Sequence, residues 1–151
     1  MAAKYMRSNT FKPPSRWAAV VFDLFDPVAF GFLVGGLVFD LIYASSPEVM
    51  WFKSAAWLIS IGLVIAFVPR MINLVQVWFP GARPSSARAR LAFWMHLFGI
   101  VAAIFNAFVH SRDAYGVLPE GVWLSIVTVV LLAAGNIVLT LQKLDDTKVP
   151  T

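Results

Sequence analysis

The chain has 151 residues, of which 60% are hydrophobic and only 13% are charged, a balance that a soluble domain could not hold without exposing apolar surface to water. Its formal net charge is +4, but no basic patch accompanies a soluble fold, so a nucleic-acid-binding domain is excluded. The absence of cysteine excludes disulfides, thiolate metal sites and thiol nucleophiles.

Four apolar stretches are each long enough to cross a bilayer, for which about 20 residues at a rise of about 1.5 Å are needed. In lipid every backbone amide must be bonded within its own segment, so each stretch is predicted to be a helix. The predicted spans are 27–43, 52–68, 91–110 and 122–142. Tryptophan-bearing apolar flanks, 17–25 and 71–79, extend the first two spans, and we expect them in or near the interface.

The sequence therefore predicts an all-α integral membrane four-helix bundle made of two helical hairpins. A basic segment, 1–16, precedes the transmembrane domain, 17–142, and a tail, 143–151, follows it. An irregular Pro- and Gly-containing connection, 79–86, separates the hairpins, and Ser85 or Ser86 is expected to cap the third helix.

The basic residues predict the orientation of the bundle. Only Lys53 and Arg112 lie in the first and third loops, whereas ten others lie in the N-terminal segment, the second loop and the tail. Because Lys and Arg concentrate on the cytoplasmic side, both termini are predicted to be cytoplasmic. The ten are Lys4, Arg7, Lys12, Arg16, Arg70, Arg83, Arg88, Arg90, Lys143 and Lys148.

Polar and small residues recur every three or four positions along two of the spans, which places each set on one helix face. Depth matching predicts that Asp26 lies near His96 at the cytoplasmic level and that Asp40 lies near His110 at the outer level. Asn136 on the fourth span falls at the inner level. The third-span set is His96, Gly99, Ala103, Asn106 and His110, and the first-span set is Asp26, Ala29, Leu33, Gly36 and Asp40.

These polar groups have a structural and a functional interpretation. As structural pairs they would hydrogen-bond across helices and fix their register, at about 1 kcal/mol or less each. As a functional site they would handle protons, a quinone or haem b. A quinone slot near His96 would use Asp26, Trp94 and Asn136.

The histidine spacing restricts any haem site. His96 and His110 are 14 positions apart on one helix, about 21 Å along its axis, so they cannot both ligate one haem. A haem with a single histidine ligand, or one shared across a dimer interface, remains open, with Met50, Met71 or Met95 as the second ligand. No further metal site is predicted.

Small residues in the first span predict close helix packing. Gly31 and Gly35 form a GxxxG pattern that Gly36 follows, and this face would either dimerise or pack on the fourth helix at 133–135, with the second option favoured. Pro69 is predicted to end the second span, and Arg70 is placed to meet an anionic headgroup.

The layout resembles the small bacterial four-helix membrane proteins catalogued as domain of unknown function 2231, over about 25–141. The matching features are a first span that begins with a proline and closes with Phe39 and Asp40, and an Arg-rich approach to a third span that carries His96. The family begins its first span with His-Pro, where this chain has Asp26 and Pro27. The resemblance implies association with membrane redox partners such as iron-sulfur or sugar-oxidising proteins.

No nucleotide-binding loop, hydrolase triad order, zinc helix motif or paired catalytic carboxylate is found in the sequence, so no catalysis is predicted. The leading hypothesis is an accessory subunit of the bacterial inner membrane that anchors or completes a larger redox or respiratory complex. Its expected partners are bound lipid and a membrane or periplasmic protein. The alternatives are an electron-transfer protein that binds haem b or quinone through His96 or His110, and a small transporter or channel subunit.

Overall fold

The computed structural model describes residues 16–78, 86–112 and 116–148, with side chains described as far as residue 145. These residues form four α-helices and no strand: α1 (Arg16–Ser45), α2 (Val49–Trp78), α3 (Ala87–His110) and α4 (Glu120–Lys148). All four are long and apolar enough to cross a membrane. The predicted all-α membrane bundle is therefore confirmed, while the prediction for Ser85 lies outside the described residues.

The first two helices are much longer than the predicted spans, because their tryptophan-bearing flanks continue the same helices. Pro27 and Pro69 consequently lie inside α1 and α2. The prediction that Pro69 ends the second helix is wrong, since α2 continues to Trp78. Packed neighbours allow a proline inside a membrane helix, and Pro69 is buried.

Ser86, one of the two serines that the sequence predicted as a possible cap, caps the start of α3. Ser86 has an extended backbone conformation, and its hydroxyl accepts a hydrogen bond from the Ala89 amide at 3.0 Å. This bond satisfies one of the amides that a helix N-terminus leaves without a partner in the helix.

An apolar cluster fills the centre of the bundle, buried polar side chains lie on either side of it, and a second apolar cluster of Tyr43, Phe52 and Val117 lies at the end where α1 finishes. Leu33, Ile59, Ala103 and Leu132 form the central cluster, with one residue from each helix. The helices pack as two hairpins, α1 against α2 and α3 against α4. Large apolar side chains on the outside of the bundle are exposed, as lipid contact requires.

Glycines allow close contact within both hairpins. A Cβ atom built on Gly36 would lie 2.8 Å from Ile59 Cγ1, and one built on Gly35 would lie 3.1 Å from Leu58, so this face packs on α2. The prediction that it packs on α4 is therefore wrong. Gly31 has open space around it, whereas Gly99 packs against Leu132 of α4.

Candidate functional site

One polar cluster joins α1, α3 and α4 at the end of the bundle where α1 finishes. We call Asp40, Asn106, His110 and Ser125 the histidine–aspartate cluster. His110 Nε2 lies 2.8 Å from Asp40 Oδ1, and the Ser125 hydroxyl donates to Asp40 Oδ2 at 2.5 Å. Asn106 in turn donates its side-chain amide to Ser125 Oγ at 2.6 Å. The four side chains thus form one connected network.

Helix periodicity explains why this network is buried. Asn106 and His110 are one turn apart on α3, and His110 Nδ1 lies 3.0 Å from the Asn106 carbonyl oxygen. The side chains of Asp40 and His110 are each only 1% exposed. The ring of Phe52 from α2 stacks on the imidazole at 5.5 Å with an interplanar angle of 8°. All four helices therefore contribute to this end of the core.

A second polar cluster lies at the opposite end. We call Asp26, Arg70, His96 and Asn136 the arginine cluster. Arg70 of α2 forms an ion pair with Asp26 of α1, and the two side chains are 14% and 10% exposed. His96 of α3 has its Nε2 2.8 Å from Asn136 Oδ1 of α4 and its Nδ1 2.7 Å from the Ala92 carbonyl oxygen.

A small cavity lies between the members of the arginine cluster. The centre of a water-sized sphere can occupy about 10 Å³ of this cavity. The cavity therefore has room for about one water molecule. Asp26, Arg70, His96 and Asn136 all line it. The Nε and Nη1 atoms of Arg70 are buried and have no hydrogen-bond partner among the described residues. This end of the core is therefore polar and narrow, and the charge of Arg70 is balanced by that of Asp26.

One of the two predicted pairs is present in the structure, and the residues of the other pair have different partners. Asp40 and His110 are in direct contact, as the spacing predicted. Asp26 and His96 line the same cavity, but Asp26 pairs with Arg70, and the His96 ring bonds to α4 and to its own helix. Asn136 lies at the predicted level. The guanidinium of Arg70 points inward to the Asp26 carboxylate. This corrects the prediction that Arg70 meets a lipid headgroup.

Two residues of the clusters were missed by the sequence reasoning, Arg70 as a core residue and Ser125 altogether. In both cases the spacing of buried positions along the helix gives a signal that could have found the residue. The buried positions of α2 continue through Pro69 to Asn73, so the inward face of this helix extends beyond Arg70. On α4 the buried small and polar positions recur every three or four residues, at Gly121, Ser125 and Thr128.

Neither histidine has a ring nitrogen free for a metal. In both rings Nδ1 faces a backbone carbonyl oxygen and Nε2 faces a side-chain oxygen. Haem ligation would therefore require at least one of these bonds to break. Among the described residues, no three His, Asp or Glu side chains come together as a metal site. The space next to His96 is also far smaller than a quinone slot, which needs several hundred Å³.

An open groove runs along the outside of α1 and α2 near the histidine–aspartate cluster. It has a volume of about 640 Å³ and is mainly apolar. Among the described residues that line it, Lys53 is the only charged one, next to Ser54 and the exposed ring of Trp57. An apolar groove with one cation suits a lipid with an acyl chain and an anionic headgroup.

Comparison with known proteins gives no relative for this chain. No protein-family model, no curated protein and no solved structure matches it.

Proposed function

We propose that this protein is an integral membrane subunit that performs no catalysis of its own and anchors or completes a larger membrane assembly. One observation carries the proposal: the polar side chains inside the bundle bond to one another across helices. Asp40 with His110, Asp26 with Arg70, and His96 with Asn136 each join two different helices. Such pairs fix helix register, and the interior cavity that the described residues form beside His96 has room for about one water molecule.

The redox or respiratory character of the assembly is the more specific part of the proposal. It follows from the resemblance to the four-helix family named above, whose members accompany membrane redox proteins. The haem and quinone alternative is less well supported, because both histidines already use both ring nitrogens. A transporter or channel is also less well supported, because the apolar central cluster separates the arginine cluster from the histidine–aspartate cluster.

Native mass spectrometry of the protein, extracted from its own membrane in mild detergent, tests the proposal. We expect particles whose mass exceeds that of one 16.7 kDa chain by that of other protein subunits. A lone chain or homodimer that carries the mass of a haem or quinone would contradict the accessory role and favour the electron-transfer alternative.

A bound lipid belongs to the same proposal, and the groove beside Lys53 is its proposed site. We expect wild-type protein to retain an anionic phospholipid adduct and Lys53→Gln to lose it preferentially, because the substitution removes the one cation of the groove. Lys143→Gln is the control, since Lys143 is also an exposed lysine but lies outside the groove. Equal lipid retention in the two variants would contradict the proposed site.

The proposed orientation has both termini in the cytoplasm of a bacterial inner membrane, and cysteine labelling tests it. The chain contains no cysteine, so single cysteines report without background. We expect Ser46→Cys to react with a membrane-impermeant maleimide added to intact spheroplasts, and Ala87→Cys to react only after lysis, because basic residues favour the cytoplasmic side. Both positions are exposed, and the reverse pattern would overturn the orientation.

A further inference from the structure

We propose that Asp40 and His110 form a proton-binding site that holds one proton more than an ionised aspartate and a neutral histidine would hold. The reason is the hydrogen-bond chemistry of the His110 ring. A backbone carbonyl oxygen can only accept a hydrogen bond, so the Nδ1 atom that faces the Asn106 carbonyl oxygen must carry a proton. The Nε2 atom faces a carboxylate oxygen at 2.8 Å, so a proton must also lie between these two atoms.

Two arrangements meet this requirement, and both have the same number of protons. In one, a doubly protonated His110 ring donates to an ionised Asp40. In the other, a protonated Asp40 donates to Nε2 of a neutral ring. The pair has no net charge in either case, which is the form that a site only 1% exposed within a membrane bundle tolerates best. The Ser125 hydroxyl donates to the other carboxylate oxygen and is compatible with both.

His96 provides an internal comparison on the same helix. Its Nδ1 also faces the carbonyl oxygen four residues earlier, at 2.7 Å, but its Nε2 faces the side-chain amide of Asn136. An amide can present its N–H₂ group when its oxygen and nitrogen exchange places, so a neutral His96 satisfies both bonds. The two rings therefore differ in one partner, an amide for His96 and a carboxylate for His110.

Among the residues that the structure describes, the other ionisable groups at this end of the bundle do not replace either partner. Lys53 of α2, Glu48 just before α2, Arg112 after α3 and Glu120 of α4 are all exposed. Tyr43 of α1 is buried close by and packs on Phe52, the ring that stacks on His110. The nearest counter-charge that these contacts give His110 is thus Asp40.

The place of the site in the bundle restricts how its proton is exchanged. Asp26 and Asp40 are 14 positions apart on α1, about 21 Å along the helix, and the apolar central cluster lies between them. The apolar central cluster therefore separates a proton bound at this site from the side of the membrane nearer Asp26. Buried aspartate–histidine pairs of this kind are suited to accept and release protons within a membrane.

Spectroscopy of the full-length protein in detergent or bilayers at neutral pH tests the proposal. With ¹⁵N-labelled histidine, we expect one neutral ring, His96, and one site that carries the additional proton. That proton is observed either as a second protonated ring nitrogen of His110 or as the infrared carbonyl band of a protonated carboxyl group, which ¹³C-labelled aspartate shifts. Two neutral rings without such a band would overturn the proposal, and this measurement needs no substitution.

Asp40→Asn is the matched variant. An asparagine can donate its amide N–H to His110 Nε2 and accept from Ser125 with its oxygen, so all hydrogen bonds persist without the additional proton. We expect two neutral rings and no acid band in this variant. If the proton signal remained unchanged in Asp40→Asn, it would not belong to the pair, and the proposal would fail.

Discussion

Replacing Arg70 by Gln is expected to lower the free energy of unfolding by about 3 to 5 kcal/mol, the range found when one partner of a buried ion pair is removed. The substitution leaves the Asp26 carboxylate, which is 10% exposed, without its cation. It also removes the contact of the guanidinium with the Phe22 ring, 5.9 Å from the ring centroid. Thermal unfolding in detergent, with helicity followed by circular dichroism, measures the loss.

Two controls separate the buried pair from a general effect of charge removal. The double substitution Asp26→Asn with Arg70→Gln replaces both charges by amides, and we expect it to recover most of the lost stability, because no buried charge is then left unpaired. Lys143→Gln removes one partner of an exposed ion pair, Lys143 with Asp23, whose side chains are 70% and 61% exposed. Solvent screens this pair, so a change of about 0 to 1 kcal/mol is expected.

The alternative for Arg70 is the headgroup contact that the sequence suggested. If Arg70 served mainly as a lipid anchor, Arg70→Gln would change stability no more than Lys143→Gln does, and adding Asp26→Asn would restore nothing. That outcome would contradict the buried pair. The comparison of single and double substitutions therefore decides between the two roles.

The fold of this protein could be predicted because bilayer thickness and backbone hydrogen bonding leave few choices. An apolar run of about 20 residues must be a helix in lipid, and this rule alone yields four helices in two hairpins. Helix ends were less predictable. Hydropathy falls at Pro69 and Arg70, which suggested that the second span ends there. However, Arg70 pairs with Asp26 inside the bundle, and α2 continues beyond it.

The contact of Asp40 with His110 could be predicted because each residue lies on the same periodic face as another polar residue of its helix. Matching the polar residues of the two helices by their depth in the membrane then places Asp40 beside His110. The partner of Asp26 could not be found in this way, since Arg70 was excluded from the core by its charge, although it forms the ion pair. Arg70 can lie inside the bundle because the Asp26 carboxylate pairs with its charge, which the hydropathy of a single residue does not show.

Glycine spacing identifies a surface for close approach but does not identify the neighbour. Small residues are present on all four helices, so Gly35 and Gly36 had several suitable partners, and the structure places Leu58 and Ile59 of α2 against them. Gly135 continues the spacing of buried positions on α4, but that spacing does not show that its neighbour is the His96 ring. Its role depends on a ring from another helix.

Gly135→Ala is expected to lower the free energy of unfolding by about 1 to 3 kcal/mol, the usual cost of overpacking a core. A Cβ atom at this position would lie 2.6 Å from Cε1 and 2.8 Å from Nδ1 of His96. The ring has little freedom to retreat, because its nitrogens bond to the Ala92 carbonyl oxygen and to Asn136. Chemical unfolding in detergent measures the loss.

Gly31→Ala is the matched control, because a Cβ atom there has no neighbour within 4 Å in the bundle. Alanine has the higher helix propensity by up to about 1 kcal/mol, so we expect this variant to be at least as stable as wild type. It also tests the dimerisation alternative for the GxxxG face. A shift from dimer to monomer in Gly31→Ala would show that the open face of α1 is occupied by a second copy.

A double-mutant cycle assigns the Gly135 effect to the His96 ring. In a His96→Ala background the ring is absent, so adding Gly135→Ala should cost much less than it costs in wild type, and the difference between the two costs is the coupling energy. Equal costs in both backgrounds would mean that the added methyl group strains another contact. A large coupling would establish that Gly135 is small because it makes room for the imidazole that bonds to Asn136.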